Sequence, residues 1–168
     1  MPTHYQGDAG TVRALNAFIN LARGSDSLFS RMSASLESYG LTMGQFGVLE
    51  ALLHLGPMCQ HTLGQKLLRS GGNITLVVDN LEKHGWVRRE RLESDHRMMV
   101  IHLTPAGREL IARVFPKHAK AVKKEMSVLK PAEQETLRRL MRKLGLGGDE
   151  SRREHRKKEK EHDTSSTK

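Results

Sequence analysis

Residues His61 to Thr104 read HTLGQKLLRSGGNITLVVDNLEKHGWVRRERLESDHRMMVIHLT. Leu63, Leu67 and Leu68 predict a short helix over about 61–69. Ser70-Gly71-Gly72 is a tight turn, with Ser70 placed to cap a second helix. In that helix Ile74, Val77, Val78 and Leu81 recur at i, i+3, i+4 and i+7, so one face is core. Gly85 ends it as a left-handed cap residue. Trp86–Leu92 and Met98–Leu103 then alternate like two antiparallel strands joined by Glu93-Ser94-Asp95-His96.

Helix, turn, helix and a two-stranded ribbon in this order make a winged helix-turn-helix, whose second helix can enter a DNA major groove while its ribbon reaches the neighbouring groove. With Ile74, Val77, Val78 and Leu81 buried, a rotation of about 100° per residue turns Gly72, Leu76, Asp79 and Lys83 outward, flanked by Asn73, Thr75 and Asn80. Asn can pair bidentately with adenine, Thr with bases or phosphate, and Leu76 can meet a thymine methyl. Gly71 and Gly72 let the helix N-terminus approach phosphate. Asp79 has two readings: it accepts from a cytosine amino group, or it holds a nearby arginine. The second is favoured, because a carboxylate beside phosphate needs a cation to offset it. In the ribbon, Arg97 lies close to the tip and follows Asp95 by two residues, so a carboxylate can orient a guanidinium able to enter a narrow minor groove. Alternation puts Arg89 and Arg91 on one side of the first strand and Arg88 on the other.

The flanks are helical. Leu15, Phe18, Ile19 and Ala22, continued by Phe29, Met32 and Leu36, form a stripe from about Gly10 to Tyr39, interrupted at Gly24. Thr42 and Gln45 make a capping box for a helix over about 43–55, stopped by Gly56-Pro57. Thr104 caps a helix with Pro105 at its first position, disturbed at Pro116 and running to Lys124. Pro131 opens a last helix with Leu137, Leu140, Met141 and Leu144 on one face. The class is therefore mainly α with a small β wing. A flexible N-terminus at 1–9 precedes one domain over 10–148 whose DNA-binding core is 41–104, and a charged, disordered tail follows at 149–168. The terminal stripes either fold back on their own domain or pack on a second copy; a two-fold homodimer is the economical solution, and its flanking helices are then dimerisation helices.

Composition narrows the function. The chain has 168 residues and a net charge of +9. Residues 149–168 hold seven basic and six acidic groups, so the basic excess belongs to the folded part and favours a polyanionic partner. Aromatic residues make up only 4%, which argues against stacking on single strands. The N-terminus has no apolar signal core, and no apolar run approaches the ~20 residues of a membrane span. A lone cysteine, Cys59, fits a reducing cytoplasm. It is read as a packing residue, with a redox sensor as the alternative. Nine histidines are scattered without ligand spacing, so neither a metal nor a cofactor is expected. No nucleophile elbow, phosphate loop, HExxH or paired-carboxylate motif points to an enzyme.

The segment from Leu41 to Leu110 resembles the MarR family of bacterial winged helix-turn-helix regulators. LTMGQFGVLEAL, LGQKLLRSGGNIT, VVDNLEKHGWVRR, the Asp95–Arg97 triplet and HLTPAGREL carry the resemblance. It implies an obligate homodimer on a pseudo-palindromic double-stranded operator, usually acting as a transcriptional repressor. The helix at 71–84 would read the major groove, Arg97 the minor groove, and Asp95 would support the wing. The resemblance further implies release by a small aromatic or phenolic ligand, or in some members by cysteine oxidation or metal. The chain departs from the family in lacking a Ser or Thr cap at Lys130-Pro131. It also lacks the first-helix cysteine of peroxide-sensing members, while GGNITLVVDNLEK is similar to quinone-responsive ones. The competing function is a winged-helix protein-interaction module without operator-specific DNA binding.

Overall fold

The computed structural model describes residues 2–67, 71–92 and 95–145, with backbone alone at 71–72 and 95–97. Residues 2–123 and the segment from Lys124 onward form two compact units. The first unit starts with α1 (Ala9–Glu37), capped by Asp8, whose side chain accepts from the Thr11 N–H at 2.9 Å. Gly24 lies inside this helix and does not end it. Ahead of it, the Thr3 N–H donates to Asn16 Oδ1 at 2.6 Å, turning the N-terminal residues back along α1.

The capping box predicted for α2 (Met43–Leu55) is formed: Gln45 N–H donates to Thr42 Oγ1 at 3.2 Å, and Thr42 N–H to Gln45 Oε1 at 2.8 Å. Gly56 takes a left-handed φ of 80° and reverses the chain. A strand that the sequence reading lacked follows, β1 (Met58–Cys59), and α3 (Gln60–Lys66) begins directly from it. The predicted helix over 61–69 is corrected accordingly. It starts at Gln60 and ends at Lys66, while Leu68, Arg69 and the proposed cap Ser70 lie outside the described residues.

Next comes α4 (Gly71–Lys83). Ile74, Val78 and Leu81 are buried and Val77 is partly so, which matches its expected core face. It ends in a Schellman turn: Trp86 N–H reaches back to Leu81 O at 3.0 Å and Gly85 N–H to Glu82 O at 2.8 Å, with Gly85 at φ 69°. The sheet has the order β1-β3-β2, all antiparallel, with β2 at Val87–Leu92 and β3 at Asp95–Leu103. The second wing strand therefore begins at Asp95, not at Met98. Arg91 pairs with Met99 but Leu92 pairs with Asp95, so one step on β2 spans four on β3. Alternation could not show this bulge, because it assumes an unbroken register.

The helix α5 (Pro105–Met126) runs through Pro116 without a break. Thr104 Oγ1 accepts from Gly107 N–H at 3.0 Å and donates to Gly85 O at 2.6 Å, so one hydroxyl caps α5 and ties it to the end of α4. Leu36, Leu49, Leu52, Leu63, Val78, Leu81, Ile101, Ile111 and Val114 are fully buried in one core shared by α1–α5 and the sheet. In the second unit a helix over 131–145, α6, starts where Glu133 Oε2 accepts from Lys130 N–H at 2.7 Å. Glu133 thus supplies the N3 half of a capping box, bonding the backbone N–H of Lys130, while the bond that a Ser or Thr side chain would make at the cap position is not replaced by it.

Gly107 shows how closely α5 sits on the wing base. A Cβ there would meet the Trp86 carbonyl oxygen at 1.9 Å. Gly107→Ala is expected to force α5 away from β2 and lower unfolding free energy by about 3 kcal/mol. Chemical denaturation of the variant checks it; an unchanged midpoint would refute the close approach.

Candidate nucleic-acid interface

The buried face of α4 leaves a polar face to solvent. Asn73, Thr75 and Lys83 are exposed, and Leu76 is 64% exposed. Asn80 is half-buried and its amide donates to Leu76 O at 3.0 Å. Gly72 contributes backbone in the first turn. Asp95 and Arg97 lie on β3 as backbone, and their side chains are outside the described residues, so the pairing expected between them is too. Cys59 is half-buried on β1.

Asp79 is engaged by the wing. Arg89 Nη2 donates to Asp79 Oδ1 at 2.5 Å, and Arg89 Nη1 donates to Glu82 Oε2 at 2.5 Å. The Arg89 backbone N–H adds a bond to Glu82 Oε1 at 3.0 Å. The same guanidinium reaches Gln60 Oε1 at 3.4 Å, and Gln60 Nε2 donates to Thr75 Oγ1 at 2.7 Å. One arginine on β2 therefore joins α3, α4 and the wing. Its side chain is only 18% exposed, whereas Asp79 and Glu82 are 42% and 39% exposed. Burial works against the guanidinium charge, but the two carboxylates outweigh it and raise its pKa.

Gln60, Glu82 and the joining role of Arg89 were missed from sequence. A signal existed: Asp79 and Glu82 are three apart on one flank of α4, and Arg89 shares its strand face with buried Val87. On the opposite strand face Arg88 Nη1 meets Glu90 Oε2 at 2.5 Å, and His102 Nε2 lies 3.4 Å from the same oxygen. Arg88 holds the Glu90 carboxyl below its ordinary value, with His102 assisting.

A second polar feature lies between α2 and α5. The His118 ring packs on Phe46 with centroids 4.2 Å apart, and His54 meets Phe115 edge-on at 4.6 Å. His118 Nδ1 is buried without a hydrogen-bond partner, and burial lowers the pKa of the ring against an opposing pull from Glu50. Among the described residues no three His, Cys, Asp or Glu side chains gather as metal ligands, and no helix is long and apolar enough to cross a membrane.

Arg89→Ala is expected to destabilise the fold by about 2 kcal/mol, since it leaves two carboxylates side by side on a partly exposed surface. Arg89→Lys should recover only part of this, because an ammonium lacks the planar fork. Urea unfolding of both variants tests it; equal stability of Arg89→Ala and the parent would show that the cluster is not coupled.

Known proteins share this architecture. The MarR family pattern matches residues 41–99. The chain is 34% identical over 134 residues to the uncharacterised HTH-type transcriptional regulator YkoM of Bacillus subtilis, covering 80% of this chain and 87% of that one. It is 33% identical over 136 residues to the HTH-type transcriptional regulator MhqR of the same organism, covering 81% and 94%. The solved structure of Sco3205, a MarR family transcriptional regulator from Streptomyces coelicolor in complex with DNA, superposes with a TM-score of 0.77 at 24% identity, over 86% of this chain and 91% of that one. The chain belongs to the MarR family of DNA-binding, winged helix-turn-helix transcriptional regulators.

Proposed function

We propose that the chain is a homodimeric repressor that reads a pseudo-palindromic operator and is released by a small aromatic or phenolic ligand. The observation that carries the DNA-reading part is the polar face of α4, where exposed Asn73, Thr75, Leu76 and Lys83 stand beside a wing held by Arg89. Ser70, Gly72 and Asn80 complete the proposed major-groove contacts, Arg97 reaches the minor groove, and Asp95 supports it. Asp79 acts through Arg89, keeping the wing aligned with α4. The family binds operators as dimers, and each unit of this chain leaves apolar surface for a second copy. Phe18 and Phe29, three turns apart on α1, are 66% and 56% exposed, and Leu140 and Leu144 on α6 are 47% and 61% exposed.

Arg97→Ala is expected to weaken operator binding by about 1–3 kcal/mol without dissociating the dimer. Fluorescence anisotropy over a salt series, with the dimer followed by sedimentation, measures both. Affinity that ignores salt would instead favour a protein-interaction module, since phosphate contacts release counterions.

For the effector, the unpartnered His118 Nδ1 beside Phe46 supports a ligand that brings an aromatic ring and a hydroxyl or carboxyl group. With one cysteine per chain, oxidation would have to act through a sulfenic acid at Cys59 or a disulfide between copies. With 4-hydroxybenzoate as the probe, His118→Phe should still bind operator but lose most of the ligand-induced release seen with the parent. Release that is equal in both proteins would remove His118 from the effector site.

A further inference from the structure

Gln60 stands outside the proposed reading face, yet its side chain is bonded to a residue on it. β1 ties Met58 and Cys59 to Ile101 and Val100 of β3, and Arg89 pairs with Ile101 from the other side. The residue that opens α3 and the arginine of β2 are thus fastened to the same short stretch of strand. The half-buried Gln60 amide makes two contacts from there. Its Oε1 lies 3.4 Å from Arg89 Nη2, and its Nε2 lies 2.7 Å from Thr75 Oγ1 on α4.

Chemistry fixes the direction of this bridge. A guanidinium only donates, so the Gln60 carbonyl oxygen must face Arg89. The amide NH2 then faces Thr75, whose hydroxyl oxygen accepts. Arg89 does not depend on Gln60 in return, since Asp79 and Glu82 hold the same guanidinium at 2.5 Å. Thr75 gains more from the contact. A threonine in a helix divides between two χ1 rotamers, which place its hydroxyl and methyl differently. A bond that requires Oγ1 on the Gln60 side selects one of them, and the chirality of Cβ then sets the direction of the methyl. Thr75 is exposed, so this decides which group a facing surface meets. A base edge distinguishes a hydroxyl from a methyl, whereas attraction to the phosphate backbone depends on charge. Given the proposed reading of DNA by α4, on which this rests, we infer that Gln60 is a positioning residue for sequence discrimination. It holds Thr75 in one rotamer on the reading face, and it carries no charge with which to add to the attraction for DNA in general.

The full chain selects duplexes from a random pool, and the best duplex and a shuffled version of it serve as the two probes. Gln60→Ala is expected to lower the ratio of the two affinities by about two- to tenfold, the range for one neutral hydrogen bond, with binding to the shuffled duplex unchanged. Gln60→Glu keeps an acceptor for Arg89 but cannot donate to Thr75, so the ratio should fall while the unfolding midpoint holds. In a Thr75→Val background, which has no hydroxyl to orient, Gln60→Ala should change the ratio no further. An undiminished ratio in Gln60→Ala, or an equal further loss in the Thr75→Val background, would overturn the positioning role. Without DNA, three-bond couplings to the Thr75 methyl carbon read the rotamer. One staggered value in the parent and an averaged value in Gln60→Ala are expected; identical couplings in both would overturn the role as well. A parent that prefers no duplex over its shuffled form would refute the operator reading, and the discrimination with it, while the couplings still decide whether Gln60 holds Thr75.

Discussion

The placement of α4 against the wing depends on the Arg89 guanidinium held between Asp79 and Glu82. Burial of Ile74, Val78 and Leu81 is non-directional: it decides which face of α4 turns inward, yet lets the helix slide or tilt over the sheet at small cost. A planar fork meeting two carboxylates one turn apart fixes that remaining freedom. The pair also governs sign. Without Arg89, α4 would present two adjacent anions toward the side where phosphate is expected to lie. With it, the cluster carries a net charge of −1 rather than −2, and Lys83 stands beyond it on the exposed face.

The ends of the same elements meet at Trp86. Its N–H closes the α4 turn on Leu81, and its carbonyl accepts from Thr104 N–H, while Gly107 approaches that carbonyl at the start of α5. α4, the wing and α5 thus share one peptide as a common anchor. The core beneath is a single cluster containing residues of α1, α2 and α5 as well as the wing, so a disturbance at the His118–Phe46 contact lies within the packing that supports α4. A ligand there need not touch the DNA-reading face to alter it; it needs to favour one arrangement of these packed elements over another.

Most of the helical framework was legible because it follows from short-range rules. The capping box of Thr42 and Gln45, the left-handed Gly85 and the 3.6-residue stripe of α4 each state their structure locally. What escaped is non-local. The two-residue strand β1 has no periodicity of its own and exists only because β3 offers Val100 and Ile101 as partners. The bulge before Met99 depends on cross-strand register, which no single strand encodes. The pairing of Asp79 with an arginine was foreseen from electrostatics, but choosing Arg89 required knowing which strand face meets α4. Gln60 was invisible because an amide at the start of a short helix has no pattern; its role comes from contacts with residues 15 and 29 positions away.

The number of reading groups bears on why the chain would need a second copy. On the proposed reading, Asn73, Thr75, Leu76 and the half-buried Asn80 would face base edges from α4, and each good contact would discriminate by about 1–3 kcal/mol. Thr75 already accepts from Gln60 and Asn80 already donates to Leu76 O, so neither offers its full hydrogen-bonding capacity to a base. One head therefore separates its site from competing sequence by only a few base pairs, which is weak against a whole chromosome. Two heads joined rigidly multiply that discrimination, and rigidity requires a broad apolar contact rather than a linker. The exposed phenylalanines of α1 and, separately in the other unit, the exposed leucines of α6 each offer apolar area for a second copy. If the chain reads an operator as proposed, apolar surfaces with no part in base contact would then contribute to operator choice alongside the polar face of α4.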